Sequence, residues 1–310
     1  MINSRFYSVV SLFFGILAVS TASIFIRFAQ SEAPSLVIAT IRLLVASLLT
    51  APLAIIQYRN QLFNFSKKEI GLLILSGFFL AIHFSAWITS LEFTSVTSSV
   101  VLVTTTPLWV AIFSPIFLKE KNQSGIWYGL ILSLVGSSLV ALSNQCGISE
   151  TGLLVCQREI MSFDKFSLIG NLLALLGAWM AAGYLMVGRR VRSSTPLILY
   201  IFYVYLFSTI FLLFFTFVSG QSLWGYSEKT YLWMILLGIV PQLIGHSIFN
   251  WTLGHLPAAF VSIALIGEPV GTVILAFFFL HENPTILELG GGVLILSGIV
   301  LVSLLNQKKE

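Results

Sequence analysis

Arg42, His83, His246 and Glu268 sit well inside long apolar runs of this 310-residue chain. A charge at the centre of a hydrocarbon layer costs about 3 kcal/mol or more, so each needs a partner or a task. Glu268 stands directly before Pro269, where a carboxyl suits either of two roles. It can carry a proton or meet a cationic group, or it can help organise the turn that the proline breaks. Arg42 offers a planar guanidinium that matches a carboxylate or a phosphate. It lies deep enough that a cavity or an internal pair suits it better than snorkelling. His83 and His246 fall at corresponding places in two halves of the chain when one residue of slip is allowed, with Trp87 and Asn250 one turn further on. A lone membrane histidine usually packs through a hydrogen bond, whereas a matched pair points to a cavity wall, where imidazole titrates near neutrality. Trp87, Trp179, Tyr184 and Tyr203 are rings that can stack on a flat or apolar substrate, although most deep rings simply pack. The expected substrate-binding set is therefore Arg42, His83, Trp87, Trp179, Tyr184, Tyr203, His246 and Asn250, with Glu268 the candidate for proton coupling.

These residues need elements to hold them, and the composition says which kind. Hydrophobic residues make up 57% of the chain and charged residues 9%, with mean hydropathy +0.97. A soluble domain carries about 25% charged residues, so the chain is expected to be an integral membrane protein. Ten apolar runs are long enough to span a bilayer as helices: 8–28, 35–57, 70–91, 95–118, 124–143, 167–188, 196–219, 229–252, 257–280 and 285–305. The first lacks a clear A-x-A cleavage pattern and reads as a mature helix. With the N-terminus cytoplasmic, eleven Lys and Arg fall on the inner segments and four on the outer ones. The positive-inside rule therefore puts both termini in the cytoplasm. The scattered basic residues make no phosphate-binding stripe, so nucleic acid is not an expected partner.

The stretch Leu91 to Leu142 returns at Leu253 to Leu304, 162 residues later, carrying Pro107 to Pro269, Glu120 to Glu282, Gly129 to Gly291 and Gly136 to Gly298. Five helices per half is an odd number, so the second half enters the membrane from the opposite side. The expected fold is all-α: ten transmembrane helices in two inverted five-helix repeats, residues 1–143 and 167–310, joined by an extracytoplasmic loop, 144–166. Pro107 and Pro269 mark helix breaks, and hydroxyls at Thr104 to Thr106 can satisfy the backbone that Pro107 frees. Glycines in helices five and ten provide faces for close helix contact or for a second copy of the chain, so a homodimer is allowed. Cys146 and Cys156 both lie in the 144–166 loop, where an oxidising exterior favours a disulfide over two free thiols.

The segments "TSLEFTSVTSSVVLVTTTPLWVAIFSPIFLKEK" and "LGHLPAAFVSIALIGEPVGTVILAFFFLHE", each followed by a Gly-marked helix ("GIWYGLILSLVGSSLVAL" and "LGGGVLILSGIVLVSL"), resemble the EamA family of the drug/metabolite transporter superfamily. The resemblance covers nearly the whole chain. It implies an inverted five-plus-five fold with a central cavity formed by helices other than five and ten, and export or exchange of small metabolites such as amino acids. The chain departs from the family at Thr106, where many members carry Glu before Pro, as Glu268 does here.

No phosphate loop, HExxH or GxSxG pattern and no paired intramembrane carboxylates occur, so ATP hydrolysis is excluded and no cofactor or metal is expected. The reading is a non-enzymatic secondary carrier of a small organic metabolite in a bacterial-type inner membrane. Its expected partners are that substrate and the lipid bilayer. A passive channel in the same fold is the first alternative. A membrane enzyme acting on lipid-linked substrate with His83 or Glu268 as base is the second.

Overall fold

The computed structural model describes residues 2–94, 96–120, 124–143, 146–148, 154–156, 165–275, 277–278 and 283–305. Among them, nine helices are long and apolar enough to cross a membrane. These are α1 (Val10–Ala29), α2 (Ser35–Tyr58), α3 (Lys67–Phe93), α5 (Ser124–Leu142), α6 (Phe166–Arg192), α7 (Leu197–Val218), α8 (Glu228–Leu253), α9 (Ala258–Leu275) and α10 (Ile286–Leu305). The fourth expected run instead gives a shorter apolar helix, α4 (Val101–Phe117). Its backbone breaks between Val96–Val103 and Thr106–Phe117, because Pro107 has no amide to continue the ladder. Thr104, Thr105 and Thr106 each donate to the carbonyl three residues back, at 3.1, 2.6 and 2.8 Å, and so cover the broken turn. α9 breaks in the same way, between Ala258–Leu265 and Glu268–Leu275, at Pro269.

Helix starts follow from local chemistry. Ser66 and Glu69 form a reciprocal capping box at α3, and Ser227 caps α8 through the Thr230 amide. Pro34 and Pro196, again 162 residues apart, occupy the N-cap positions of α2 and α7. The architecture is not purely helical. Cys146–Ile148 (β1) and Leu154–Cys156 (β2) form an antiparallel hairpin between α5 and α6. Most of the rest of the 144–166 linker lies outside the described residues, as do Lys121, Glu282, Lys308 and Lys309.

Packing pairs the two halves. α3 runs along α6, α2 along α7, and α5 along α10. The α5–α10 pair is antiparallel: a Cβ on Gly129 would meet Gly298 O at 2.7 Å, and one on Gly136 would meet Gly291 O at 2.5 Å. The glycine faces are thus packed against each other within the chain. Because these neighbours are backbone oxygens, a methyl can fit only if the helices part. Gly136→Ala should therefore destabilise the protein by about 1–3 kcal/mol. The neighbouring control Gly290→Ala, with nothing within 4 Å, should not. Melting temperatures of the two variants in detergent check this.

Away from the seam α10 presents Ile286, Leu289, Val293, Leu296, Val300 and Leu304, all exposed and spaced three or four apart. This is a stripe that lipid covers. At the other extreme Arg42, Tyr200, Tyr205, Phe84 and Phe249 are among the largest fully buried side chains, and most of them surround the central cavity.

Candidate functional site

A partly open cavity, with about 790 Å³ of empty space including the part open to its surroundings, is walled by α1, α2, α3, α4, α6, α8 and α9. α5 and α10 contribute nothing to it. Arg42 reaches it from α2 and is only 1% exposed. Its Nε donates to Gln242 Oε1 at 2.9 Å, and its guanidinium lies 4.0 Å over the Phe84 ring. Its Nη1 has no hydrogen-bond partner among the described residues. Glu268 faces the same cavity from the break in α9. No direct ion pair joins it to Arg42, and its carboxylate accepts no hydrogen bond from the described residues. The backbone carbonyl of Glu268 is served by other groups, Ser20 Oγ at 2.9 Å and Thr272 Oγ1 at 3.1 Å. Among the described residues the carboxyl itself makes no hydrogen bond to the broken turn.

His83 Nδ1 lies 2.9 Å from Gly177 O. A carbonyl can only accept, so Nδ1 carries the proton and Nε2 is left as an acceptor. The ring stacks on Trp87, with centroids 6.0 Å apart and planes at 12°. Trp87 Nε1 is itself without a partner. His246 sits edge-on to Phe84 at 5.5 Å and 6.4 Å from Tyr184. Tyr184 OH donates to Asn250 Oδ1 at 2.8 Å, and Asn250 O accepts from Arg192 Nε at 3.0 Å. Among the described residues no group of three His, Cys, Asp or Glu is placed to hold a metal ion.

The structure thus brings Arg42, His83, Trp87, Tyr184, His246, Glu268 and Pro107 to one cavity. Asn250 stands one layer behind, holding Tyr184. Two expected contacts lie elsewhere. Trp179 is 43% exposed on the outer side of α6, edge-on to Trp109. Tyr203 donates to Leu62 O and packs on Phe65 and Phe207. Both rings belong to helices apolar on every side, where spacing does not separate a cavity face from a lipid face.

The two histidines share the cavity but are not counterparts. Gly15 packs on Ile248 and Phe249, and Gly177 packs on Trp87; of the first two only Phe249 lines the cavity, as Trp87 does, which puts the offset at 162 there and matches His246 with Phe84. Sequence reading missed Gln242, Phe84 and Phe249. Gln242 left one signal, an amide directly after Pro241 within a span.

The cavity is tied at both ends. At the end opposite the hairpin, Glu120 accepts from Arg189 Nε at 2.6 Å and from the Ala258 amide at 3.2 Å, while Arg189 Nη1 donates to Leu253 O at 2.8 Å. The carboxylate there joins the end of α4 to α6 and α9, and Arg189 adds α8. At the hairpin end Glu32 accepts from Ser227 N, Ser227 Oγ and Thr230 Oγ1, at 2.9, 3.0 and 3.0 Å. The Ser227 amide, then the two hydroxyls, hold the Glu32 carboxyl below its ordinary range. A carboxyl with a lowered folded value adds stability above its ordinary range and loses it as pH falls through the folded value. The melting temperature should therefore drop on acidification from about pH 6 to about pH 3, and Glu32→Gln should remove part of that drop. In the hairpin Cys146 and Cys156 are directly opposed across the register, a position from which a disulfide can form. Mass analysis after alkylation should show two blocked thiols only once the protein has been reduced.

The sequence pattern of the EamA-like transporter family matches residues 7–142 and again 168–304. The chain belongs to the EamA-like transporter family. It is a multi-pass membrane protein of that transporter kind. This EamA protein is 26% identical over 234 residues to the uncharacterized transporter YdfC of Bacillus subtilis, covering 75% of this chain and 71% of that one. An uncharacterized transporter of Archaeoglobus fulgidus is 23% identical over 284 residues, covering 90% and 91%. A protein of known crystal structure at 16% identity superposes over 98% of this chain and 99% of its own, with TM-score 0.76, which shows that the fold is shared.

Proposed function

We propose that this EamA protein is a secondary carrier of a zwitterionic metabolite, an amino acid with an aromatic or bulky apolar side chain, working by alternating access in a cytoplasmic membrane. One observation carries the reading. A buried guanidinium with a free N–H and a carboxylate face one cavity without pairing, between walls of Phe84, Trp87, Tyr184 and Phe249. An amino acid presents the complement: a carboxylate for Arg42, an ammonium for Glu268, and an apolar group for the rings. Unpaired buried charges are costly, and a bound zwitterion relieves both at once.

The alternating-access part rests on the contacts between halves. α5 and α10 are counterparts that pack antiparallel, which fits a pseudo-two-fold axis in the membrane plane and ten spans in two inverted sets. The basic residues favour cytoplasmic termini, placing the Glu120–Arg189 tie at the cytoplasmic mouth and the hairpin outside. Counterflow in liposomes tests the function. Vesicles preloaded with unlabelled L-phenylalanine should transiently accumulate labelled L-phenylalanine above the outside level. A channel cannot produce that overshoot, and its absence for every zwitterion tried would sink the carrier reading.

A further inference from the structure

The second half of the chain is not a plain copy of the first. α3 runs as unbroken α-helix, whereas α8 contains a nine-residue π-helix, Gly238–His246, around Pro241. Contacts locate the difference. Gly77 of α3 meets Val204 O and Phe207 of α7, and Gly238 of α8 meets Arg42 O and Val45 of α2. Val204 and Phe207 are the 162-residue counterparts of Arg42 and Val45, so the two glycines do the same job. Trp87 and Phe249 are likewise matched: each packs on one of the counterpart glycines, Gly177 and Gly15, and each lines the cavity, whereas Ile248, which also touches Gly15, does not. Yet Trp87 follows Gly77 by ten residues, while Phe249 follows Gly238 by eleven. One extra residue has been taken into α8 between these contacts, and a π-helix is how a helix accommodates one.

Gln242 sits inside that insertion, fully buried. Its backbone O accepts from Tyr205 OH at 3.2 Å, its Oε1 accepts from Arg42 Nε, and its Nε2 is unpartnered. The counterpart of Arg42 is Val204, so α3 faces no guanidinium on α7 and needs no such insertion. The side chain at 242 is also neutral. A carboxylate there would close an ion pair and use up the charge, whereas an amide fixes the Nε edge and leaves Nη1 and the net charge for a ligand.

We propose that Gln242, delivered by the π-insertion, is a positioning residue that aims Arg42 without neutralising it, and thereby sets a preference for amino acids over the corresponding amines. The proposal rests on the amino-acid reading above and makes a separate demand.

Thermal-shift affinities for L-phenylalanine and phenethylamine, which differ by the carboxylate, should be measured on purified wild type, Gln242→Glu and Gln242→Met. Wild type should prefer phenylalanine. Gln242→Glu should weaken phenylalanine at least about 30-fold while phenethylamine binds as well or better, so that the preference inverts. Gln242→Met should weaken phenylalanine but keep the order. A merely structural glutamine would lower both affinities together. If wild type favours phenylalanine and Gln242→Glu keeps that order, the positioning role is wrong while the amino-acid reading stands. If wild type binds neither probe, the amino-acid reading fails, and a ligand-free double-mutant cycle decides the rest. The change in melting temperature from Gln242→Glu should then disappear in an Arg42→Met background, and an unchanged shift would overturn the coupling of the two side chains.

Discussion

Arg42→Met is expected to cost the protein its substrate while leaving it as stable as before, or more so. The guanidinium is buried in a membrane-spanning helix with one neutral partner, one aromatic face and one empty N–H. Replacing an under-paired buried charge by an apolar side chain of similar length is often neutral or stabilising by about 1–4 kcal/mol. Methionine can lie against the same Phe84 ring and removes the desolvation burden. Binding should move the other way. A carboxylate that has lost its only facing cation should bind about 2–5 kcal/mol more weakly, a loss of at least about 30-fold in affinity. Melting temperature and phenylalanine affinity, measured on one preparation, separate the two effects. If the variant binds phenylalanine as tightly as wild type, Arg42 is not the anchor. If it fails to fold, the charge is structural and the cavity reading loses its centre.

Glu268→Gln should separate exchange from coupling. The amide keeps the shape of the side chain but can neither take up nor release a proton at working pH. Because the carboxyl makes no hydrogen bond to the broken turn among the described residues, while Ser20 and Thr272 hold the Glu268 backbone, the break in α9 should survive the change. Counterflow of phenylalanine, which needs no net driving force, should persist in liposomes, weakened by the loss of an ion pair to the ammonium. Accumulation driven by an imposed pH gradient should vanish. Equal gradient-driven accumulation by wild type and variant would show that the proton travels another way, or that the carrier runs on substrate gradients alone.

Much of this was legible in the residues. Spans follow from hydropathy, because a helix in lipid has no alternative way to bury its backbone. The 162-residue recurrence of rare residues placed Pro107 with Pro269, and both proved to be helix breaks. Arg42 and Glu268 stood out because charge inside an apolar run is expensive. Trp179 and Tyr203 were misplaced because lipid and core are equally apolar, so ring spacing does not say which face turns inward. Gln242 was missed for a different reason. Hydropathy treats α8 as a uniform rod, and a π-helix changes which residues share a face without changing composition. The hairpin at 146–156 escaped notice because its two strands are three residues each.

The α5–α10 seam has a consequence for how such a chain can be put together. Gly129 meets Gly298, which is the copy of Gly136, and Gly136 meets Gly291, which is the copy of Gly129. At the middle Ser133 Oγ reaches toward Ile295 O, its own counterpart, at 3.5 Å. A patch that meets its own copy turned half a revolution is an isologous interface, the kind on which two-fold dimers close. A single five-helix unit bearing this face already holds the complement to itself. The peptide link between α5 and α6 then supplies proximity rather than shape, and fusion into one chain frees each half to diverge. Arg42 on one side, and an inserted residue that delivers Gln242 on the other, are differences that two identical subunits could never have acquired separately.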